Sequence, residues 1–170
     1  MLCAFFDRDG TIAGDYPDEV WKTIKEPELM PGAIEALAYL RSLGYEIIII
    51  TNQYIIDEGY ITQEEYNLYS QKLLTRLAEE GIEVMDVFFC PHARSYPCKC
   101  RKPETGLIQR ALKKYPDIDM SRAFMVGDSE GDMELARRMS IPAYGIGLSF
   151  EYDKFVPMNS LLDFKRAFRT

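Results

Sequence analysis

The 170-residue chain carries 20 basic and 27 acidic residues, a formal net charge of −7 with no polybasic run. That balance disfavours nucleic acid and anionic lipid as partners and leaves small anions to be held by local positive groups. The length is that of one domain, residues 1–170, large enough to bury roughly two thirds of its unfolded surface without disulfide staples. No apolar stretch approaches the ~20 residues that span a bilayer, and the first residues run into acidic Asp7 without a basic leader region. The expectation is a soluble, cytoplasmic protein without membrane contact, monomeric or weakly oligomeric.

The first apolar run, Leu2 to Phe6, reads as a buried strand. It leads into Asp7-Arg8-Asp9-Gly10-Thr11, two carboxylates one residue apart with a glycine where the backbone turns. Pro31 to Leu43 carries Ile34, Leu37 and Leu40 at helical spacing and stops at Gly44. A second strand, Ile47 to Ile50, is followed by Thr51-Asn52-Gln53, small polar groups able to donate to a phosphoryl oxygen. Thr62 and Glu65 have capping-box spacing ahead of a helix that ends near Gly81. A third strand, Val84 to Phe89, runs into a cysteine-rich loop, and Arg101-Lys102-Pro103 then precedes a helix over Glu104 to Tyr115. The fourth strand, Ala123 to Val126, meets Gly127-Asp128-Ser129-Glu130-Gly131-Asp132 at the start of a helix from Glu130 to Met139. The tail, residues 148–170, is expected to pack on the core through a short helix capped by Ser160, with Leu161, Phe164 and Phe168 as its apolar side.

Strands alternating with helices predict an α/β fold, a Rossmann-like and mainly parallel sheet with helices on both faces, because parallel neighbours need crossover connections. In such open sheets ligands bind outside the carboxyl ends of the strands, where each polar motif stands.

Three of the four cysteines, Cys90, Cys98 and Cys100, fall within eleven residues together with the sole histidine, His92. Three thiolates and one imidazole have the number and softness of a closed tetrahedral zinc site, so a structural Zn2+ is expected in the loop 90–100. That loop ends directly at Arg101-Lys102, so folding it around a metal positions the lysine. Cys3, alone in an apolar run, reads as a buried core thiol.

In order and spacing the four polar motifs resemble those of the haloacid dehalogenase superfamily of aspartate-nucleophile phosphatases, over residues 2 to 147. The resemblance implies a phosphomonoester hydrolase in which Asp7 attacks phosphorus and forms an aspartyl phosphate. Asp9 would protonate the leaving alcohol and then activate water. Catalytic Mg2+ would be held by Asp7, the backbone carbonyl of Asp9, and Asp128, with Asp132 either reaching the metal through water or supporting Lys102. Thr51 and Lys102 would fix and neutralise the phosphoryl oxygens. Arg8, Asn52 and Arg101 are candidate substrate contacts, and Arg94 in the zinc loop is a further candidate for meeting a substrate phosphate.

Cys-Pro-His followed by Cys-x-Cys-Arg-Lys-Pro resembles the zinc-loop branch, subfamily III, that holds histidinol-phosphate phosphatases and D-glycero-D-manno-heptose 1,7-bisphosphate phosphatases. That branch lacks a large cap domain, which implies an open site read by loops 13–30 and 54–61 and by the zinc loop. Heptose bisphosphate phosphatases usually follow Thr-Asn-Gln with Ser-Gly-Ile-Ala-Arg-Gly, whereas this chain has Tyr54-Ile55-Ile56-Asp57-Glu58-Gly59. A small phosphorylated metabolite is expected as partner, a heptose bisphosphate ahead of histidinol phosphate. A polynucleotide 3′-phosphatase, disfavoured by the acidic charge, and a zinc-loop binding module without turnover are the remaining readings. Tyr16 and Trp21 are expected to pack rather than to bind.

Overall fold

The structure is a computed structural model that describes residues 1–168. Six strands form one sheet: β1 (Cys3–Phe6), β2 (Glu46–Asn52), β3 (Asp86–Cys90), β4 (Phe124–Gly127), β5 (Ala143–Ile146) and β6 (Phe155–Met158). Their spatial order is β3-β2-β1-β4-β5-β6, and all five pairings are parallel. The helices are α1 (Ala33–Ser42), α2 (Gln63–Glu79), α3 (Gly106–Lys114), α4 (Glu130–Arg138) and a short α5 (Phe164–Ala167). This is the Rossmann-like, parallel arrangement expected from the alternating pattern.

Successive side chains on a strand face opposite sides, so buried strands supply two cores. Ala4, Phe6, Ile47, Ile49, Phe124 and Val126 pack toward Leu37 and Leu40 of α1, Leu73 and Leu77 of α2, and the tail residues Phe164 and Phe168. Phe5, Ile48, Ile50 and Met125 face the other way, onto Leu107 and Ile108 of α3 and Met133 and Ala136 of α4. A third cluster, Trp21, Ile55, Ile61, Tyr66 and Tyr69, lies over the loops at the carboxyl end of the sheet.

Local chemistry sets the helix starts. Thr62 accepts from the Glu65 N–H while the Glu65 side chain returns to the Thr62 N–H, the capping box read from the spacing. Ser129 and Asp132 form a second box at α4, which buries Asp132 for a structural reason as well as a chemical one. The Ser160 side chain accepts from the Leu162 N–H, and Leu161, Phe164 and Phe168 are buried.

Several boundaries differ from the sequence expectation. β2 runs on through Thr51 and Asn52, and β3 through Cys90, because each still pairs with its neighbour (Thr51 with Phe89, Asn52 with Cys90). The helix expected from Glu104 begins at Gly106, whose N–H bonds the Lys99 carbonyl at 2.8 Å. Strands β5 and β6 were not foreseen, and β6 falls inside the stretch read only as a packing tail. β5 contains Gly145, which leaves room for the Phe155 ring where a Cβ would stand 2.4 Å away. β6 contains Pro157, which a sheet tolerates at an edge, and β6 is the edge strand.

Candidate active site

The strand order reverses direction at β1, which has β2 on one side and β4 on the other. A cleft of about 250 Å³ opens at the carboxyl ends of these strands, lined by Asp7, Asp9, Thr51, Asn52, Lys102 and Asp128 among others. Two glycines let the carboxylates converge. A Cβ at Gly10, whose φ is +86°, would stand 2.1 Å from Asp128 Oδ2, and one at Gly127 would stand 2.3 Å from Asp132 Oδ2.

Lys102 is the hub. Its Nζ donates to Asp7 Oδ1 at 2.6 Å and to the Ile50 carbonyl at 2.8 Å. It also lies 2.7 Å from Asp132 Oδ1, an ion pair without the direction of a hydrogen bond. Burial opposes the ammonium, but Asp132 and Asp7 outweigh it and hold its pKa above the ordinary lysine value. The Asp7 carboxyl is pushed well above the usual carboxylate range by burial and then by Asp132, against the pull of Lys102. Burial and Asp132 likewise raise Asp128.

Ligand oxygens of Asp7, Asp128 and Asp132 lie within 4.8 Å of one another. Three carboxylates against one ammonium leave two negative charges at a place where Asp7 is 7% and Asp132 0% exposed. A hard divalent cation fits that donor set and relieves the repulsion that raises Asp7. Asp132 is already occupied, since its second oxygen accepts from the Ser129 N–H and hydroxyl. Of the two roles read for it, the support of Lys102 is the one its contacts display, and Asp7 and Asp128 are left facing the cleft.

Asp9 is held from the side. Arg8 Nε and Nη2 fork onto its two oxygens at 2.7 and 3.1 Å, and Gln53 Nε2 donates to Oδ2 at 2.8 Å and to Thr51 Oγ1 at 2.9 Å. Asn52 receives the Lys102 N–H at 2.8 Å and donates to the Lys102 carbonyl at 3.2 Å, bracing the lysine backbone from the cleft wall. Two of the expected substrate contacts have protein partners instead of facing the cleft. Arg8 is 2% exposed, under Tyr66 and Tyr69 and outside the cleft lining, because Asp9 and the rings hold its charge. Arg101 turns back onto the carbonyls of Ala93, Arg94 and Tyr96, so it closes the cysteine loop instead of reaching the cleft.

That loop brings Cys90, His92, Cys98 and Cys100 together, their ligand atoms within 4.8 Å of one another. His92 Nδ1 lies 3.3 Å from Cys90 Sγ and 3.1 Å from Cys100 Sγ, and the ring stacks on Tyr96. Burial works against the Cys98 thiolate, yet backbone N–H groups of Arg101 and Cys100 bring its pKa down to about 6. Three convergent soft donors and one imidazole, a full set of four ligands, suit a zinc ion held for structure.

At the rim, Arg94 stacks 4.1 Å over the Tyr54 ring, forks onto Glu58 at 2.8 and 3.0 Å, and reaches Asp18 at 3.3 Å. Tyr54 donates to Asp18 at 2.8 Å. One arginine thus joins all three loops expected to read the substrate. The sequence reading missed Gln53 as a brace, and it missed Asp15, Asp18 and Tyr54 as cleft walls. Gln53 stood beside Thr51-Asn52 in the motif; the rim residues fall in the loops 13–30 and 54–61 expected to read the substrate, but which side chains face the cleft is set only by folding. Trp21 packs as expected, edge-on to Tyr16 and Tyr69, but also lines the cleft with Tyr16.

Residues 13–139 match the haloacid dehalogenase-like hydrolase family. The chain is 39% identical over 146 residues to the D-glycero-alpha-D-manno-heptose-1,7-bisphosphate 7-phosphatase of Photorhabdus laumondii, covering 82% of this chain and 78% of that one. A probable D-glycero-D-manno-heptose-1,7-bisphosphate 7-phosphatase of Thermoplasma volcanium is 38% identical over 143 residues, 84% of this chain and 96% of the other. Among solved structures, the D,D-heptose 1,7-bisphosphate phosphatase of B. bronchiseptica complexed with magnesium and phosphate superposes with a TM-score of 0.81 at 25% identity. That superposition covers 95% of this chain and 94% of the other. Among the described residues no helix is long and apolar enough to cross a membrane. With its motifs at the carboxyl ends of a parallel sheet and its relatives spanning most of its length, the chain belongs to the haloacid dehalogenase-like hydrolases and is a phosphatase of that family.

Proposed function

We propose that the protein removes one phosphate from a small phosphorylated sugar, with a heptose 1,7-bisphosphate as the first candidate, through an aspartyl phosphate on Asp7. The observation that carries this reading is Asp7 itself, buried at the switch point of the sheet between Lys102 and Asp128. The 34–39% identity to heptose bisphosphate phosphatases supports the substrate.

An oxygen of Asp7 bonds to phosphorus as the ester P–O bond to the sugar breaks, and Asp9 delivers its proton to the leaving oxygen. Water then attacks phosphorus, Asp9 takes a proton from it, and the bond to Asp7 breaks. Lys102 and Thr51 neutralise and fix the phosphoryl oxygens, preorganised before substrate arrives. Magnesium, held by Asp7, Asp128 and the Asp9 carbonyl, would offset the repulsion between nucleophile and phosphate. Zinc on Cys90, His92, Cys98 and Cys100 would hold the loop that ends at Lys102.

A second reading, histidinol phosphate, has one observation in its favour. Asp15 and Asp18 line the cleft while Arg94 is engaged by Glu58 and Asp18, an acidic rim suited to an ammonium group. Comparing kcat/KM for heptose 1,7-bisphosphate and histidinol phosphate decides between them, a tenfold ratio being about 1.4 kcal/mol. Phosphate release from neither substrate, nor from a wider panel of phosphometabolites, would overturn the proposal, as would full activity in Asp7→Asn.

A further inference from the structure

Arg8 takes no part in the bond changes above, yet it is the largest fully buried side chain among the described residues. Its fork closes on both oxygens of Asp9, and Nη1 donates to Ser70 of α2 at 3.1 Å. The guanidinium carbon lies 4.8 Å from the Tyr69 ring centroid, 5.3 Å from that of Tyr66 and 5.8 Å from that of Trp21. Gln53 Nε2 donates to Oδ2 of the same carboxylate, and it also donates to Thr51 Oγ1.

Stability is a weak explanation for this arrangement. A desolvated ion pair is often matched or bettered by apolar side chains of similar volume, whereas its planar fork fixes orientation in a way no apolar group can. The carboxylate so fixed is the one at the cleft that must face first the leaving oxygen and then a water. Misplacing a reacting group by about 1 Å costs on the order of a hundredfold in rate.

We propose that Arg8, anchored by Ser70 and the three rings and paired with Gln53, is the positioning residue for Asp9 in both proton transfers. The inference rests on the reading of Asp9 as acid and base. It transmits the packing of α2 and of the 18–23 segment to the chemistry, since Tyr66, Tyr69 and Ser70 come from the first and Trp21 from the second.

The test compares leaving groups. Heptose 1,7-bisphosphate, or histidinol phosphate if that proves to be the substrate, releases an alkoxide that needs a proton. p-Nitrophenyl phosphate releases a phenolate that does not. Arg8→Lys, Arg8→Gln, Gln53→Ala and Ser70→Ala are measured beside Asp9→Asn, by rapid quench for the first turnover and by steady state. In the Arg8 variants the first turnover of the sugar ester should slow about a hundredfold, while the p-nitrophenolate burst stays within about twofold of wild type. Steady-state turnover of p-nitrophenyl phosphate should still fall, because water attack needs Asp9. Ser70→Ala and Gln53→Ala should show the same pattern at smaller size, and they keep the test open if an Arg8 variant fails to fold. Equal losses on both leaving groups, or no loss, would overturn the positioning role while leaving the phosphatase reading intact. If Asp9→Asn itself does not distinguish the leaving groups, the assigned role of Asp9 fails, and the inference with it.

Discussion

Lys102 is held at three points and brings a buried ammonium against Asp7, so its removal exposes the carboxylates to one another. Lys102→Met should lower kcat by about a hundredfold or more, on the scale of losing a preorganised transition-state donor, measured as phosphate release under saturating magnesium. The raised pKa of Asp7 makes a separate prediction about metal and pH. The folded protein without a cation binds that proton more tightly than the unfolded chain does. The stability this group contributes is therefore present below the ordinary aspartate value of about 3.9 and is lost as pH rises through the raised one. A divalent cation takes the proton's place, so the stabilisation on adding magnesium, measured by denaturant unfolding, should be small where Asp7 holds its proton and grow as pH rises through the raised value, reaching about 2.7 kcal/mol at a hundredfold excess over Kd. A magnesium effect that does not change with pH would remove Asp7 as the linked group. Gly10→Ala forces a side chain into both a left-handed backbone and Asp128, and it should weaken magnesium binding measured by calorimetry.

At the scale of elements, the loop 90–100 joins β3 to the residue that matters most, and its carbonyls are gathered by Arg101. Cys100→Ser should lower zinc below about one per chain in metal analysis and reduce kcat without a new KM for magnesium, because the loop positions Lys102 rather than the ion. Retained zinc in that variant would sink the four-ligand assignment. The rim offers a sharper lever. Glu58 holds Arg94 by three contacts, including its backbone N–H, and it stands in the stretch where the heptose branch usually has an arginine. Glu58→Gln removes the nearer of the two charges on that guanidinium and leaves Asp18 at 3.3 Å, so kcat/KM for heptose 1,7-bisphosphate should rise relative to histidinol phosphate. A fall in that ratio would mean that Arg94 serves only to tie the loops.

Across the whole molecule, the tail is part of the core on one face of the sheet. Phe164 is fully buried and packs against Phe6, Phe124, Tyr144 and Phe168, with ring centroids 5.3 to 6.3 Å apart. Phe164→Ala should cost about 3–5 kcal/mol in denaturant unfolding while leaving KM unchanged, since the cluster lies away from the cleft lining. Foreseeing that packing needed only the apolar spacing after Ser160. Foreseeing β6 was harder, because a proline and polar neighbours hide a strand that only an edge position permits.

The sequence alone determined the alternation of strands and helices, the two capping signals at α2 and the tail, the four polar motifs and the clustering of thiols with His92. Each of these is local, written in periodicity, in residue type or in spacings of a few positions. Tertiary structure decided what the buried groups do with one another. Arg8 and Arg101 look identical to substrate-binding arginines in a string of residues. Whether a guanidinium meets a ligand or a neighbouring carboxylate depends on which surfaces lie beside it, and contacts across 62 residues, as between Arg8 and Ser70, exist only after the sheet has closed.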